Sequence, residues 1–129
     1  MRVIITGHDA NSPNHVFFRS TVGIGRAVWK GLPVPDSGAF DVEVDIPGRF
    51  AWGSEVNVST ERDQEEMCMT EETLRIIAPM DGVEEDGSLR LLLDGGLVYI
   101  DVTGTVPATV IGKLVQFDVP ALELYPFFL

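Results

Sequence analysis

Phe40-Asp41-Val42-Glu43-Val44-Asp45-Ile46 alternates apolar and acidic residues without a break. Successive side chains of a strand point to opposite faces, so this stretch reads as a half-buried β-strand. Phe40, Val42, Val44 and Ile46 form its inner side, and Asp41, Glu43 and Asp45 its outer side. Pro47-Gly48 stops it, because proline cannot donate to a ladder and glycine favours the turn.

The same two-residue period recurs on both sides, far more clearly than any helical period. Arg2 to Thr6 reads as a first strand, followed by a polar loop to Asn14. His15 to Trp29 is a long β-prone stretch in which Gly23 and Gly25 suggest a bulge or bend. Gly31 to Gly38, with two prolines, is a turn segment. Beyond the opening stretch, Glu55 to Ser59 and Leu74 to Ala78 are expected strands, the latter ending before Pro79. Glu85-Asp86-Gly87 and Asp94-Gly95-Gly96 are turn signals that frame a meander of Ser88 to Leu93 and Leu97 to Thr103. Gly112 to Val119 and Leu122 to Tyr125 complete the list.

The fold class is therefore all-β, a single domain over residues 1–129, with at most one short helix in the charged stretch Thr60 to Glu72. A small antiparallel barrel or a sandwich fits. The bent long strand, the meander and one possible helix before it, in a stretch that reads equally as a loop, resemble an OB-like Greek-key barrel in element order. No residue motif carries that resemblance.

Twenty acidic against nine basic residues give a net charge of −11, while 45% of the residues are hydrophobic. That combination describes a folded acidic domain and not a disordered acidic tail. A phosphate backbone is repelled by it, which argues against nucleic acid, whereas basic proteins and cations are favoured. A lone cysteine, Cys68, forms no disulfide framework, no apolar run approaches a membrane span, and Met1 to Gly7 is too short in apolar residues for a signal core. A cytoplasmic, soluble protein is the expectation.

Few residues carry chemistry. Asp41, Glu43 and Asp45 stand about 7 Å apart along one strand face, a spacing open to an acid–base pair or a hard cation. A cation site, however, needs about six oxygens converging from several segments. A solvated strand face and a surface for a basic partner are the simpler readings. His8 and Asp9 share the first loop, with His15 beyond, but no nucleophile elbow accompanies them. The two histidines and the one cysteine lack metal spacing, and Gly23-x-Gly25 lacks the rest of a phosphate loop, so no cofactor or metal is expected. Carboxylates around Cys68 disfavour its thiolate.

The partner-binding residues expected from this reading are Asp41, Glu43, Asp45 and Trp52, together with Glu61, Asp63, Glu65 and Glu66 of the acidic run. Trp29, Phe50 and Trp52 sit near turns around the acidic strand, where indole faces suit cations, although core packing competes for each. The leading functional expectation is a non-enzymatic acidic binding protein, in its most concrete form an inhibitor or immunity protein that neutralises a basic toxin or nuclease. It resembles small bacterial immunity proteins in size and charge. The alternative is a structural subunit that self-associates through the apolar end Phe127, Phe128 and Leu129. A small hydrolase built on His8, Asp9 or the strand carboxylates ranks third.

Overall fold

A computed structural model describes residues 1–127. Its strands, in chain order, are β1 Arg2–His8, β2 His15–Ser20, β3 Gly23–Trp29, β4 Gly38–Asp45, β5 Arg49–Ala51, β6 Val56–Val58, β7 Glu66–Met69, β8 Leu74–Val83, β9 Leu89–Leu93, β10 Gly96–Thr103, β11 Leu114–Val119 and β12 Leu122–Pro126. Among the described residues the one helical element is a 3-10 turn at Ala108–Val110. The protein is all-β, as the alternation implies.

Five strands close a ring. β1 pairs antiparallel with β2 and β4, β2 with β3, and β4 with β12, and a parallel β3–β12 pairing shuts the circle. In chain order the ring runs first, second, third, fifth, fourth, an OB-like Greek-key arrangement. The expected barrel counted the meander among its strands, yet the ring draws only on the first 45 residues and on β12. The meander belongs instead to the long insertion between β4 and β12. There β5, β10, β9, β8, β11 and β6 pair in succession, and a Trp52–Val56 bridge brings the two ends together. Phe50 and Phe117 close the same seam edge-to-face, with ring centroids 5.1 Å apart.

One cluster of buried side chains runs through ring and insertion alike, from Val3, Phe18 and Leu124 to Met67, Leu91 and Ile100. Burying a side chain such as Phe18 stabilises by roughly 1.5–3 kcal/mol. Leu89, Leu91 and Leu93 face this core from β9, and Val98 and Ile100 from β10, while Val102 is half-buried. The β9–β10 turn needs two left-handed residues, supplied by Asp94 (φ 51°) and Gly95 (φ 78°). Among the described residues no helix is long and apolar enough to cross a membrane.

Three local expectations are corrected. His15 to Trp29 is a hairpin and not one bent strand. Thr21 and Val22 form its loop, held by the Ser20 hydroxyl, which donates to Gly23 O and accepts from the Val22 N–H. Thr60 to Glu72 contains no helix: Met67 is fully buried and its neighbours are not, so Glu66–Met69 lies as a strand against β8, and the Met67 N–H reaches Val22 O at 2.8 Å. β8 runs straight through Pro79 to Val83. Pro79 is in register with Leu114 of β11, but the Met80 N–H is the one that turns to β11, bonding Lys113 O at 2.9 Å. On the opposite edge pairing with β7 ends at Ile77 and pairing with β9 begins at Met80, so no ladder bond is asked of the proline nitrogen.

Candidate functional site

The outer side of β4 carries Asp41, Glu43 and Asp45, all exposed, while Val42 beneath them is buried. Their surroundings differ. Arg2 holds Asp41 at 3.1 Å across the β1–β4 pairing, an exposed contact that fixes position more than it stabilises. Glu43 and Asp45 have no basic side chain at ion-pair distance among the described residues. Lys30 is close enough to Asp45 to feel its charge. It bonds Glu123 at 3.0 Å, and that hydrogen bond, with smaller help from Tyr125 and Asp45, raises its pKa.

β12 runs beside β4 with Tyr125 directly opposite Glu43. From the insertion, β10 approaches the same face. Its inner residues Val98 and Ile100 enter the core, so Leu97, Tyr99 and Asp101 point outward. The result is an open cleft of about 310 Å³ bounded by Glu43, Val44, Asp45, Leu97, Val98, Tyr99 and Tyr125. It continues into a second hollow of about 350 Å³ that reaches Met1, Gly96 and Phe127. On its far side Tyr99 borders a third hollow with Glu84, Glu85, Asp86 and Asp101. The first two hollows are near the lower bound for an enclosed small-molecule site, the third has about 660 Å³, and all three are open to solvent.

Charge around these hollows is mostly negative, although Arg90 lies opposite Tyr99 and Arg49 opposite Asp101 in their ladders, and the Met1 ammonium, bonded to Val42 O at 2.9 Å, lines the second hollow. Glu84 is taken up by Arg90, which also bonds Asp81 at 2.6 Å. Asp86 accepts from the Ser88 N–H at 2.9 Å and hydroxyl at 2.7 Å; these bonds lower its pKa and keep it ionised. Among the described residues, Glu43, Asp45, Glu85, Asp86 and Asp101 have no basic side chain at ion-pair distance around Tyr99, Tyr125 and Leu97. The three apolar or aromatic side chains are 48%, 40% and 53% exposed, respectively, which is uncommon for so close a group.

The remaining expected site residues go elsewhere. Trp52 is half-buried in the insertion, its backbone N–H bonded to Thr103 O, and lines none of these hollows. Glu65 accepts the Asp94 N–H at 3.1 Å, Glu66 meets Arg62 at 3.5 Å, and Glu61 and Asp63 are exposed in the bends before β7. Only Glu65 comes near the cleft, through the turn that precedes Gly96. Trp29 and Phe50 are core residues, Trp29 stacking edge-on against Phe40 at 5.0 Å. Phe127 is exposed beside the second hollow, whereas Phe128 and Leu129 lie outside the described residues. Leu97, Tyr99, Asp101, Glu85 and Asp86 were not expected in a site. Their signal was the outward side of the meander, where Leu97 and Tyr99 occupy positions that an ordinary solvated strand fills with charge.

The histidine loop resolves into two separate groups. His8 Nδ1 meets Asp36 at 2.6 Å at the surface. His15 Nδ1 accepts from Arg26 Nε at 3.0 Å, and the same guanidinium reaches Asp9 at 3.5 Å and the Ser12 hydroxyl at 3.4 Å. Burial, then the Arg26 charge, lowers the His15 pKa, and Asp9 opposes them. His8 and Asp9 therefore serve different partners. Among the described residues no serine hydroxyl or thiol bonds either imidazole, and no group of three His, Cys, Asp or Glu side chains is arranged to hold a metal ion.

Compared with protein-family models, with curated proteins and with solved structures, the chain finds no match. What the fold and the surface define is an all-β protein with a closed five-stranded ring, a long β-insertion after the fourth ring strand, and an acidic, tyrosine-bearing cleft between the two.

Proposed function

We propose that this chain is a binding protein whose cleft between β4 and β10 covers a basic protein, acting as an inhibitor or immunity protein toward a cationic toxin or nuclease. The observation that carries the reading is the grouping of five carboxylates without basic partners around exposed Tyr99, Tyr125 and Leu97. Aromatic side chains anchor interfaces by burying large area at low entropic cost, and the surrounding charge steers a basic partner inward and rejects acidic ones. A surface of this sign also imitates a phosphate backbone, which suits the blocking of a nuclease groove.

The test compares the wild-type chain with a Glu43→Gln/Asp45→Asn/Asp101→Asn variant, both immobilised, for proteins retained from the source cells. The expected result is a protein of net positive charge, identified by mass spectrometry, that wild type holds at low salt, releases as salt rises, and that the variant fails to hold. Equal retention by the variant sinks the reading. A second reading, self-association, draws on the exposed Phe127 beside Leu97. Sedimentation of wild type and Phe127→Ser separates it: a dimer that persists in high salt and disappears in the variant supports self-association.

A further inference from the structure

The edge of β10 offers something besides charge. In the β9–β10 hairpin the two-residue Asp94-Gly95 turn puts Leu93 and Gly96 in a hydrogen-bonded pair, so Gly96, Val98 and Ile100 direct their backbone groups at β9. Leu97, Tyr99 and Asp101 therefore direct theirs at the opposite edge. β5 pairs with that edge over Asp101, Val102 and Thr103. From Leu97 to Ile100 no strand among the described residues pairs with it, a length of about 13 Å. Proteins blunt such edges with lysine, proline, a bulge or extreme shortness, and the sequence Gly-Leu-Val-Tyr-Ile-Asp-Val-Thr of β10 contains neither lysine nor proline. The same edge overlooks the β4–β12 face, with Val44 and Tyr125 bordering the cleft.

We infer that an extended, lysine- or arginine-bearing segment of the partner protein adds as a strand to the free edge of β10, bonding the backbone of Leu97 and Tyr99. This rests on the basic-partner reading and names its mode of binding. The partner backbone supplies donors and acceptors to the edge, and alternate side chains of the added strand meet Tyr99, Tyr125 and Leu97. Basic side chains reach Glu43 and Asp45 on one flank and Asp101 and Glu85 on the other. Charge selects this occupant over a second copy of the chain. Two molecules of net charge −11, joined edge to edge here, would bring Glu43, Asp45 and Asp101 against their own equivalents.

The probe is the peptide acetyl-Lys-Val-Arg-Val-Lys-Val-amide, with two isomers in which one or the other alternate set of backbone amides is N-methylated. Binding is followed by calorimetry on the full chain, and amide hydrogen exchange is read at Leu97 and Tyr99, with Val98 and Ile100 as internal references. The expected result is rapid exchange at Leu97 and Tyr99 in the free protein, slowing by about tenfold or more with peptide, and affinities of the two isomers differing by at least about tenfold. Peptide binding without that protection, and with equal isomers, overturns strand addition and leaves the acidic-surface reading standing. So does failure of the peptide where an intact basic protein is still retained. Failure of both removes both readings. Leu97 and Tyr99 amides already protected in the free chain would mean that the edge is covered by the chain's own residues or, where protection grows with concentration, by a second copy; either outcome overturns the inference.

Discussion

The Glu61–Glu72 run packs six carboxylates into twelve residues, whereas the cleft between β4 and β10 gathers Glu43, Asp45, Glu85, Asp86 and Asp101 from three separate segments. In the run, Glu65 and Glu66 are occupied by the Asp94 N–H and by Arg62, and the apolar residue among them, Met67, is wholly buried. In the cleft Asp86 accepts from Ser88 and Asp45 from the Ile46 N–H, but among the described residues none of the five carboxylates has a basic side chain at ion-pair distance, and they stand beside exposed tyrosines. Charge density along a chain is by itself a weak argument for a binding surface, because affinity needs charge next to area that a partner can bury. The run is anchored to the fold through β7, and the cleft is the surface we propose for a partner.

The largest expected effect comes from breaking that anchorage. Gly23 sits at φ 144°, and a Cβ added there would lie 1.9 Å from Met67 O, the very backbone that ties the run to β3. Gly23→Ala is expected to destabilise the protein by about 3 kcal/mol or more in urea unfolding. Gly53, at φ 92° with nothing within 4 Å of its added Cβ, is the control, and Gly53→Ala is expected to cost only about 1 kcal/mol. Equal losses would mean that β7 contributes nothing beyond local backbone strain, and that the run is an appendage after all.

A smaller effect, on binding alone, separates the two regions directly. Neutralising Glu43, Asp45 and Asp101 to the matching amides is expected to weaken the basic partner about tenfold to a hundredfold at low salt. The same change of three charges at Asp63, Glu71 and Glu72 is expected to cost less than about threefold. Both variants leave the core untouched, since all six side chains are exposed. Calorimetric titration at two salt concentrations measures the difference. Equal weakening by the two sets would reduce the cleft to one part of an undifferentiated negative field.

Much of this was legible in the chain, and what was not follows from distance. β4, β9 and β10 show in the alternation of Phe40–Ile46 and in the turn residues Asp94-Gly95, because side-chain period and turn chemistry are local properties. Ring membership is not local. β12 pairs with β4 from about eighty residues further on and with β3 from about ninety-five, so nothing near Leu122 announces that it closes a barrel from which the meander is left out. The hairpin loop Thr21-Val22 also escaped, since its residues favour strands and the Ser20 hydroxyl holds the turn. Of the cleft, Glu43 and Asp45 were visible as the outward side of an alternating strand. Tyr99 was not, because it faces them across a gap without ladder pairing, and pattern arguments see pairing strands better than neighbouring ones.

A third charged group sharpens the contrast with the smallest effect. Around His15 the charges are satisfied internally, with Arg26 Nε donating to the imidazole and the same guanidinium held by Asp9. An imidazole that accepts from a guanidinium must be neutral, and burial and Arg26 keep its pKa below the ordinary 6.5. In the unfolded chain the same histidine takes up a proton around pH 6.5, so below that value the unfolded state binds more protons than the folded one. Stability is then fully present above pH 6.5 and declines as the pH falls toward the folded pKa. Urea midpoints at pH 7.5 and 5.5 are expected to drop in wild type more than in His15→Gln, whose amide accepts the same bond but does not titrate. Partner binding, proposed to rest on the cleft and not on His15, is expected to stay flat over the same interval. A parallel loss of binding and stability with acid would place a titrating histidine in the interface and dissolve the distinction between charge that holds the fold and charge that waits for a partner.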